Sequence, residues 1–207
     1  MPARILLIAA TLFALPVHAL DDPARGKELY ASCIACHGAS AQGDAALAAP
    51  RLNHLAPVYI ADQLQKFQAG IRGGEGAGDS ARQMAAIANT LADEQALYDT
   101  AAYIATLDST PAAATVEGNA DQGRGYYQQY CAACHGPAAG GNPALNSPRL
   151  AGSDDWYLLA QLEAFRTGGR GAHPDDRTGR QMRAMAGVLP DDQAVAAVVA
   201  YIASLQP

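Results

Sequence analysis

Past its first nineteen residues this chain has no apolar run close to the ~20 residues that a membrane-spanning helix needs, so the mature protein is expected to be soluble. It also lacks a convincing alternation of apolar and polar residues. That period-two pattern marks a half-buried strand, and its absence leaves helices as the expected regular structure. Basic charge is scarce as well: from residue 20 onward there are 13 Lys and Arg against 20 Asp and Glu, a net of −7. Such a balance argues against nucleic acid and anionic membrane surfaces and for a partner with a basic docking face. No cysteine stands alone, because all four fall in two closely spaced pairs.

The one apolar run that does exist is at the start. Arg4 supplies a positive beginning, Ile5 to Leu15 a short apolar stretch, and Val17-His18-Ala19 a small-x-small cleavage site. This is the pattern of an export signal over residues 1–19, cleaved near Ala19, with retention as an anchor as the alternative.

The cysteine pairs carry the chemistry. Cys33-Ile34-Ala35-Cys36-His37-Gly38 returns 98 residues later as Cys131-Ala132-Ala133-Cys134-His135-Gly136. Two disulfides, a redox pair or a zinc site would use the cysteines, but none of these explains a histidine directly after both pairs. Covalent haem does. Each thiol adds to a vinyl group of one porphyrin, and the adjacent imidazole then lies where it can bond the iron. The expectation is two covalently bound haem c groups, attached at Cys33 and Cys36 and at Cys131 and Cys134, with His37 and His135 as iron ligands.

The same offset of 98 relates Pro50-Arg51-Leu52 to Pro148-Arg149-Leu150, Tyr59 to Tyr157, Gln63-Leu64 to Gln161-Leu162, Arg72-Gly73 to Arg170-Gly171, and Gln83-Met84 to Gln181-Met182. An identity pattern at fixed spacing is an internal repeat. The register breaks only ahead of the cysteines: Gly26 precedes Cys33 by seven residues, whereas Gly123 precedes Cys131 by eight. Residues 109–117, with Pro111 and no apolar stripe, read as a linker between an N-terminal domain (20–108) and a C-terminal domain (118–207). Within each domain, Asp22-Pro23 opens a helix running toward Cys33. Ile60, Leu64 and Phe67 line a second, with a counterpart entered at Ser153 and stopped at Gly168. A last helix opens at Ala92 or Pro190.

A haem iron needs a sixth ligand or an open site. Met84 and Met182 share the spacing of 98 and are the candidates; Met185 competes in the second domain, but its counterpart Ile87 cannot bind iron. His54 and His173 have no matching histidines and read as loop or haem-edge and solvated loop residues. Pro50 and Pro148 each follow a haem histidine by thirteen residues, placing a carbonyl where it can accept the imidazole's other proton. Arg51 and Arg149 either neutralise a haem carboxylate or face water. Arg166, Arg170, Arg177, Arg180 and Arg183 gather around Met182; they read as a solvated stretch beside Asp175 and Asp176, with a docking patch as the alternative.

On these motifs each half resembles a class I cytochrome c domain, and residues 22–205 together resemble the two-domain, two-haem cytochrome c4 family. The resemblance implies an all-α fold of two tandem domains, each wrapped around one haem, facing one another across a pseudo-twofold axis. It implies His37 with Met84 and His135 with Met182 as axial pairs. It also implies a non-enzymatic periplasmic carrier that passes single electrons between respiratory redox proteins, toward a terminal oxidase in a membrane complex, with no nucleic acid and no small-molecule substrate. The alternatives are a dedicated electron-transfer subunit of a periplasmic dehydrogenase or oxidase, and a peroxidase-like or gas-binding protein with an open iron. Pro190 departs from the small polar cap usual in the family.

Overall fold

The computed structural model describes residues 21–205, so the export signal and its cleavage point near Ala19 lie outside the described residues. The first half contains α1 (Pro23–Tyr30), α2 (Ile34–His37), α3 (Pro57–Gln68), α4 (Asp79–Ala88) and α5 (Glu94–Ile104). The second repeats the order as α6 (Ala120–Tyr126), α7 (Ala132–His135), α8 (Asp155–Thr167), α9 (Arg177–Ala186) and α10 (Asp192–Ser204). Extended pairing among the described residues amounts to two isolated bridges, Asp44 with Ala49 and Asn142 with Ser147.

Carboxylate caps set where these helices begin. Asp22 accepts from the N–H groups of Ala24 and Arg25, and Pro23 at the first helical position has no N–H to lose. Asp93 accepts from Ala96 N and Asp191 from Ala194 N, so α5 and α10 open after these residues and not at Ala92 and Pro190. The polar cap of α10 that Pro190 does not supply is thus Asp191. Helix α8 starts one residue beyond the expected Ser153, at N-cap Asp154, and ends as expected at Gly168, whose φ of 85° suits glycine. Helices α4 and α9, which carry the two candidate methionines, were not visible as periodic stripes.

Two cores form, one in each half. In the first, α3 and α5 bury Ile60, Leu64, Phe67, Leu97 and Ile104. In the second, α8 and α10 bury Leu158, Val195, Val198, Val199 and Ile202. Each fully buried aliphatic side chain of this kind contributes about 2 kcal/mol.

The first helix of each half crosses the last at very close range. A Cβ on Gly26 would stand 1.9 Å from the carbonyl oxygen of Asp99, and one on Gly123 would stand 1.9 Å from that of Ala197. Only glycine permits either approach. Beside each crossing a tyrosine is fully buried: Tyr30 against Tyr103 at 5.5 Å between ring centres, and Tyr127 against Tyr201 at 5.4 Å. Their hydroxyls donate to the carbonyls of Gly38 (2.8 Å) and Gly136 (2.7 Å), tying each crossing to the residue after a haem histidine.

The extra residue of the second half is accommodated between these fixed points. Gly26 and Gly123 differ by 97, as do Tyr30 and Tyr127, while the cysteines differ by 98. Between Tyr127 and Cys131 the backbone forms a π-helical turn, which holds one residue more than an α turn. The tyrosine and the cysteines therefore keep the same positions in both halves.

Candidate functional site

Helices α2 and α7 each comprise the last four residues before a glycine, Ile34–His37 and Ala132–His135, and end there because Gly38 and Gly136 turn to φ 77° and 79°. The chain then loops back on itself. Gly43 N donates to His37 O, Asp44 bridges to Ala49, and the carbonyl of Pro50 is delivered to His37 Nδ1 at 2.8 Å. The second half repeats this with Gly141, Asn142, Ser147 and Pro148, whose carbonyl lies 2.9 Å from His135 Nδ1. A carbonyl only accepts, so each Nδ1 carries the proton and each Nε2 keeps its lone pair. The rings are buried, 7 % exposed for His37 and 4 % for His135, and burial pushes both imidazoles down toward the neutral form. His135 Nε2 is buried with no hydrogen-bond partner. A neutral imidazole held by its outer nitrogen, with the inner one free, is the donor that an iron requires.

Around His37 lies a cavity of about 260 Å³ lined by Cys33, Cys36, Met84, Ile60, Leu64 and Phe67. Its lining is mostly apolar, as a porphyrin needs. The structure thus brings together four of the residues singled out for the first haem. Burial pushes the Cys33 thiol up and that of Cys131 to about 11. In the second half Cys131 caps α7 and Cys134 lies within it, and Met182 occupies on α9 the position of Met84 on α4. Met182 is half-buried, whereas its competitor Met185 is 36 % exposed.

Where the halves meet, two arginines face each other. Arg72 donates to Gln63 of its own half (2.9 Å) and to Tyr157 (2.8 Å) and Gln161 (3.1 Å) of the other. Arg170 mirrors this with Gln161 (2.8 Å), Tyr59 (3.2 Å) and Gln63 (2.8 Å). Each guanidinium also lies over a phenylalanine of its own half, Phe67 at 4.5 Å and Phe165 at 4.7 Å. Every hydrogen-bond partner is neutral. Arg72, Tyr157 and Gln161 also line the cavity around His37, so a cation without a bonded carboxylate stands beside the porphyrin site, and Arg170 shares its hydrogen-bonded network. Half-buried cations of this kind attract an anion, and the carboxylates of haem fit that need. Sequence reasoning quoted these residues as repeat identities but missed their role. The available signal was that Tyr59, Gln63 and Arg72 recur unchanged as Tyr157, Gln161 and Arg170, on α3 and α8 and in the loops that follow them.

One expectation is corrected here, and another is sharpened. Arg51 does not face water: it is 7 % exposed and donates to Gly152 O (2.9 Å), Ser109 Oγ (2.9 Å) and Ser109 O, while its own N–H donates to Asp154 (2.8 Å). It fastens the two halves and the segment between them. His54 also belongs to this junction, with Nε2 2.8 Å from Ser153 Oγ. Burial, then Arg51 and Arg149, push its imidazole down to about 3.

The description that matches the chain from outside is "Cytochrome c", found twice, over residues 23–108 and 120–206. A protein of Stutzerimonas stutzeri (strain A1501), named thiosulfate dehydrogenase electron acceptor, is 36 % identical over 220 residues, covering 96 % of this chain and 92 % of its own. Cytochrome c4 of Azotobacter vinelandii is 34 % identical over 198 residues, 91 % of either chain. Among solved structures, reduced recombinant cytochrome c4 from Pseudomonas stutzeri superposes with a TM-score of 0.71 at 29 % identity, over 88 % of this chain and 98 % of that one.

Proposed function

Because the chain belongs to the cytochrome c4 family of dihaem class I c-type cytochromes, we propose that this electron carrier works in the periplasm and uses His37 with Met84 on one iron and His135 with Met182 on the other. Its two covalently bound haem c groups supply one-electron iron(III)/iron(II) chemistry. The domains are residues 20–108 and 118–207, joined by 109–117, and the signal of residues 1–19 directs export.

The observation that carries the assignment is the locked imidazole. The Pro50 and Pro148 carbonyls hold the Nδ1 protons of His37 and His135, fix both ring planes and leave Nε2 as donor. Cys33, Cys36, Cys131 and Cys134 anchor the porphyrins covalently. Arg72 and Arg170, joined through Gln63, Gln161, Tyr59 and Tyr157, would pair with haem carboxylates at the junction of the halves. Filled axial positions exclude substrate from the metal, so the protein relays electrons and is not itself an enzyme. The relative named as electron acceptor of a thiosulfate dehydrogenase supports an enzyme as donor, which is the reading as a dedicated electron-transfer subunit. In both readings the partners are redox proteins.

Replacing the ligands tests the assignment. Met84→Ala and Met182→Ala are each expected to remove about half of the near-infrared band of methionine-ligated ferric haem and to lower the potential of one haem, because a thioether favours ferrous iron. An unchanged band in Met182→Ala with a loss in Met185→Ala would reassign the second ligand. Stoichiometric carbon monoxide binding by the native reduced protein would remove the case for filled axial positions.

A further inference from the structure

The structure sorts the five arginines around Met182 by use. Arg170 is taken up in the junction between the halves, and Arg166 pairs with Asp192 at 2.6 Å. Arg177, Arg180 and Arg183 stay exposed on α9 and make no ion pair among the described residues. The acids expected to balance them do not. Asp176 is 3 % exposed, caps α9 through Gly179 N, and binds Lys66 of the first half at 3.0 Å. That leaves Asp175, exposed beside His173.

The equivalent helix of the first half shows what the fold needs there. At the position of Arg177 it has Asp79, which pairs with Arg82, the counterpart of Arg180; at the position of Arg183 it has Ala85. The exposed face of α4 is therefore neutral, while that of α9 carries three positive charges. Helix stability does not explain the change. Arg177 is the first residue of α9, where the helix dipole disfavours a cation and favours the aspartate found on α4.

Location gives the charge a use. At 3.6 residues per turn, Arg177 and Arg180 point roughly 140° to 160° away from Met182 around the helix. A protein seated on them is separated from the Met182 side of α9 by about one helix diameter, on the order of 10 Å. The chain as a whole has a net charge of −6, so this basic face makes it strongly polar, and an approaching acidic surface is oriented onto α9 while being repelled elsewhere. We infer that the outer face of α9, with Arg177, Arg180 and Arg183, is the docking surface of an acidic redox protein that exchanges electrons with the C-terminal haem. This rests on the carrier reading and deepens it, and it reverses for this face the basic partner suggested by net charge alone.

The test uses the mature holoprotein and reduced flavodoxin, an acidic one-electron protein, as the probe in stopped-flow reduction over a range of ionic strength. The wild-type rate is expected to fall steeply as salt rises. The variant Arg177→Asp with Arg183→Ala, which rebuilds the α4 pattern on α9, is expected to react about tenfold more slowly at low salt and with a flatter salt dependence, within the range of steering effects. Its spectra should match the wild type, since every altered side chain is exposed, and its C-terminal haem should shift only slightly to lower potential, too little to account for the slower reaction. A wild-type rate that rises with salt, or a variant as fast as the wild type, overturns the inference. Failure of the carrier reading would look different: haems that dithionite and ferricyanide cannot cycle reversibly in the unaltered protein.

Discussion

Where α1 crosses α5 a carboxylate is buried, and where α6 crosses α10 the same position is an alanine. Asp99 is 1 % exposed and accepts hydrogen bonds from Asp22 N, Gln95 and Arg25, each at 2.8 Å. Its counterpart Ala197 sits in a run of Val195, Val198, Val199 and Ile202 that needs no polar partner. Around this difference everything that touches the haem motif is the same: glycine against carbonyl, tyrosine to the glycine after the histidine, proline carbonyl to the imidazole. The cofactor's geometry thus constrains the first turn of each site, while the means of holding the outer helices together is free to change from charge to aliphatic packing.

The most forceful way to probe the comparison is to crowd the shared feature. Gly26→Ala and Gly123→Ala each place a methyl group 1.9 Å from a backbone oxygen and are expected to cost about 3 kcal/mol or more, each in its own half. Denaturant unfolding followed separately at the Met84 and Met182 methyl signals would show this. Equal loss at both signals in either variant would mean that the halves unfold as one unit, joined through Arg51 and the Arg72–Arg170 network.

A smaller effect should separate the halves by acidity. Burial raises the Asp99 carboxyl, but the hydrogen bonds from Asp22 N, Gln95 and Arg25 outweigh it and hold the group below its ordinary value of about 3.9. A carboxylate depressed in the folded state contributes its full stability above the unfolded pKa and loses it as the pH falls through the folded one. The first half should therefore loosen at its α1–α5 crossing below about pH 4, with no matching event at the α6–α10 crossing. Asp99→Ala, which copies the second half, should cost about 2 kcal/mol at neutral pH, less than a fully buried pair because Arg25 is partly exposed, and should flatten that acid response. A wild-type first half whose acid midpoint is unmoved by the substitution would show that the crossing is not what titrates.

The smallest expected difference is in potential. Residues 20–113 have a net charge of −5 and residues 114–207 a net charge of −2, and the unpaired arginines of α9 lie on the less acidic side. Acidic surroundings favour ferric iron, so the N-terminal haem should have the lower potential, by about 10 to 40 mV, with the gap narrowing as salt rises. A redox titration resolved at the two methionine methyl groups measures it. A higher potential at the Met84 site at both low and high salt would show that surface charge does not set the order.

The repeat itself made most of this legible. A spacing of 98 located both haem motifs, both candidate methionines and both proline carbonyls, because each is a local demand of one group on a few residues. Helices α4 and α9 were not legible. Asp79–Ala88 and Arg177–Ala186 bury little beyond Ala88, Gly179 and Ala186, so the apolar stripe that betrays a packed helix is thin there, and the half-buried methionine is seen only through the repeat. The roles of Arg51, Arg72 and Arg170 were hidden for another reason. Their partners lie in the opposite half, roughly 85 to 110 residues away, and no pattern along one chain segment reports a contact of that reach.

The π turn at Tyr127–Cys131 changes what a one-residue length difference means in this fold. An added residue in an α-helix advances the phase of everything after it by about 100°, which would have swung the cysteines off the porphyrin or Tyr127 out of the core. Here the wide turn works as a vernier between two fixed gauges, the glycine–tyrosine crossing on one side and the haem motif on the other, and absorbs the step without passing it on. The five residues from Tyr127 to Cys131 are thus the place where the chain tolerates slack in its length, and the stretch just ahead of a haem-attachment motif can be reset by one residue while the electron-carrying centre beyond it keeps its alignment.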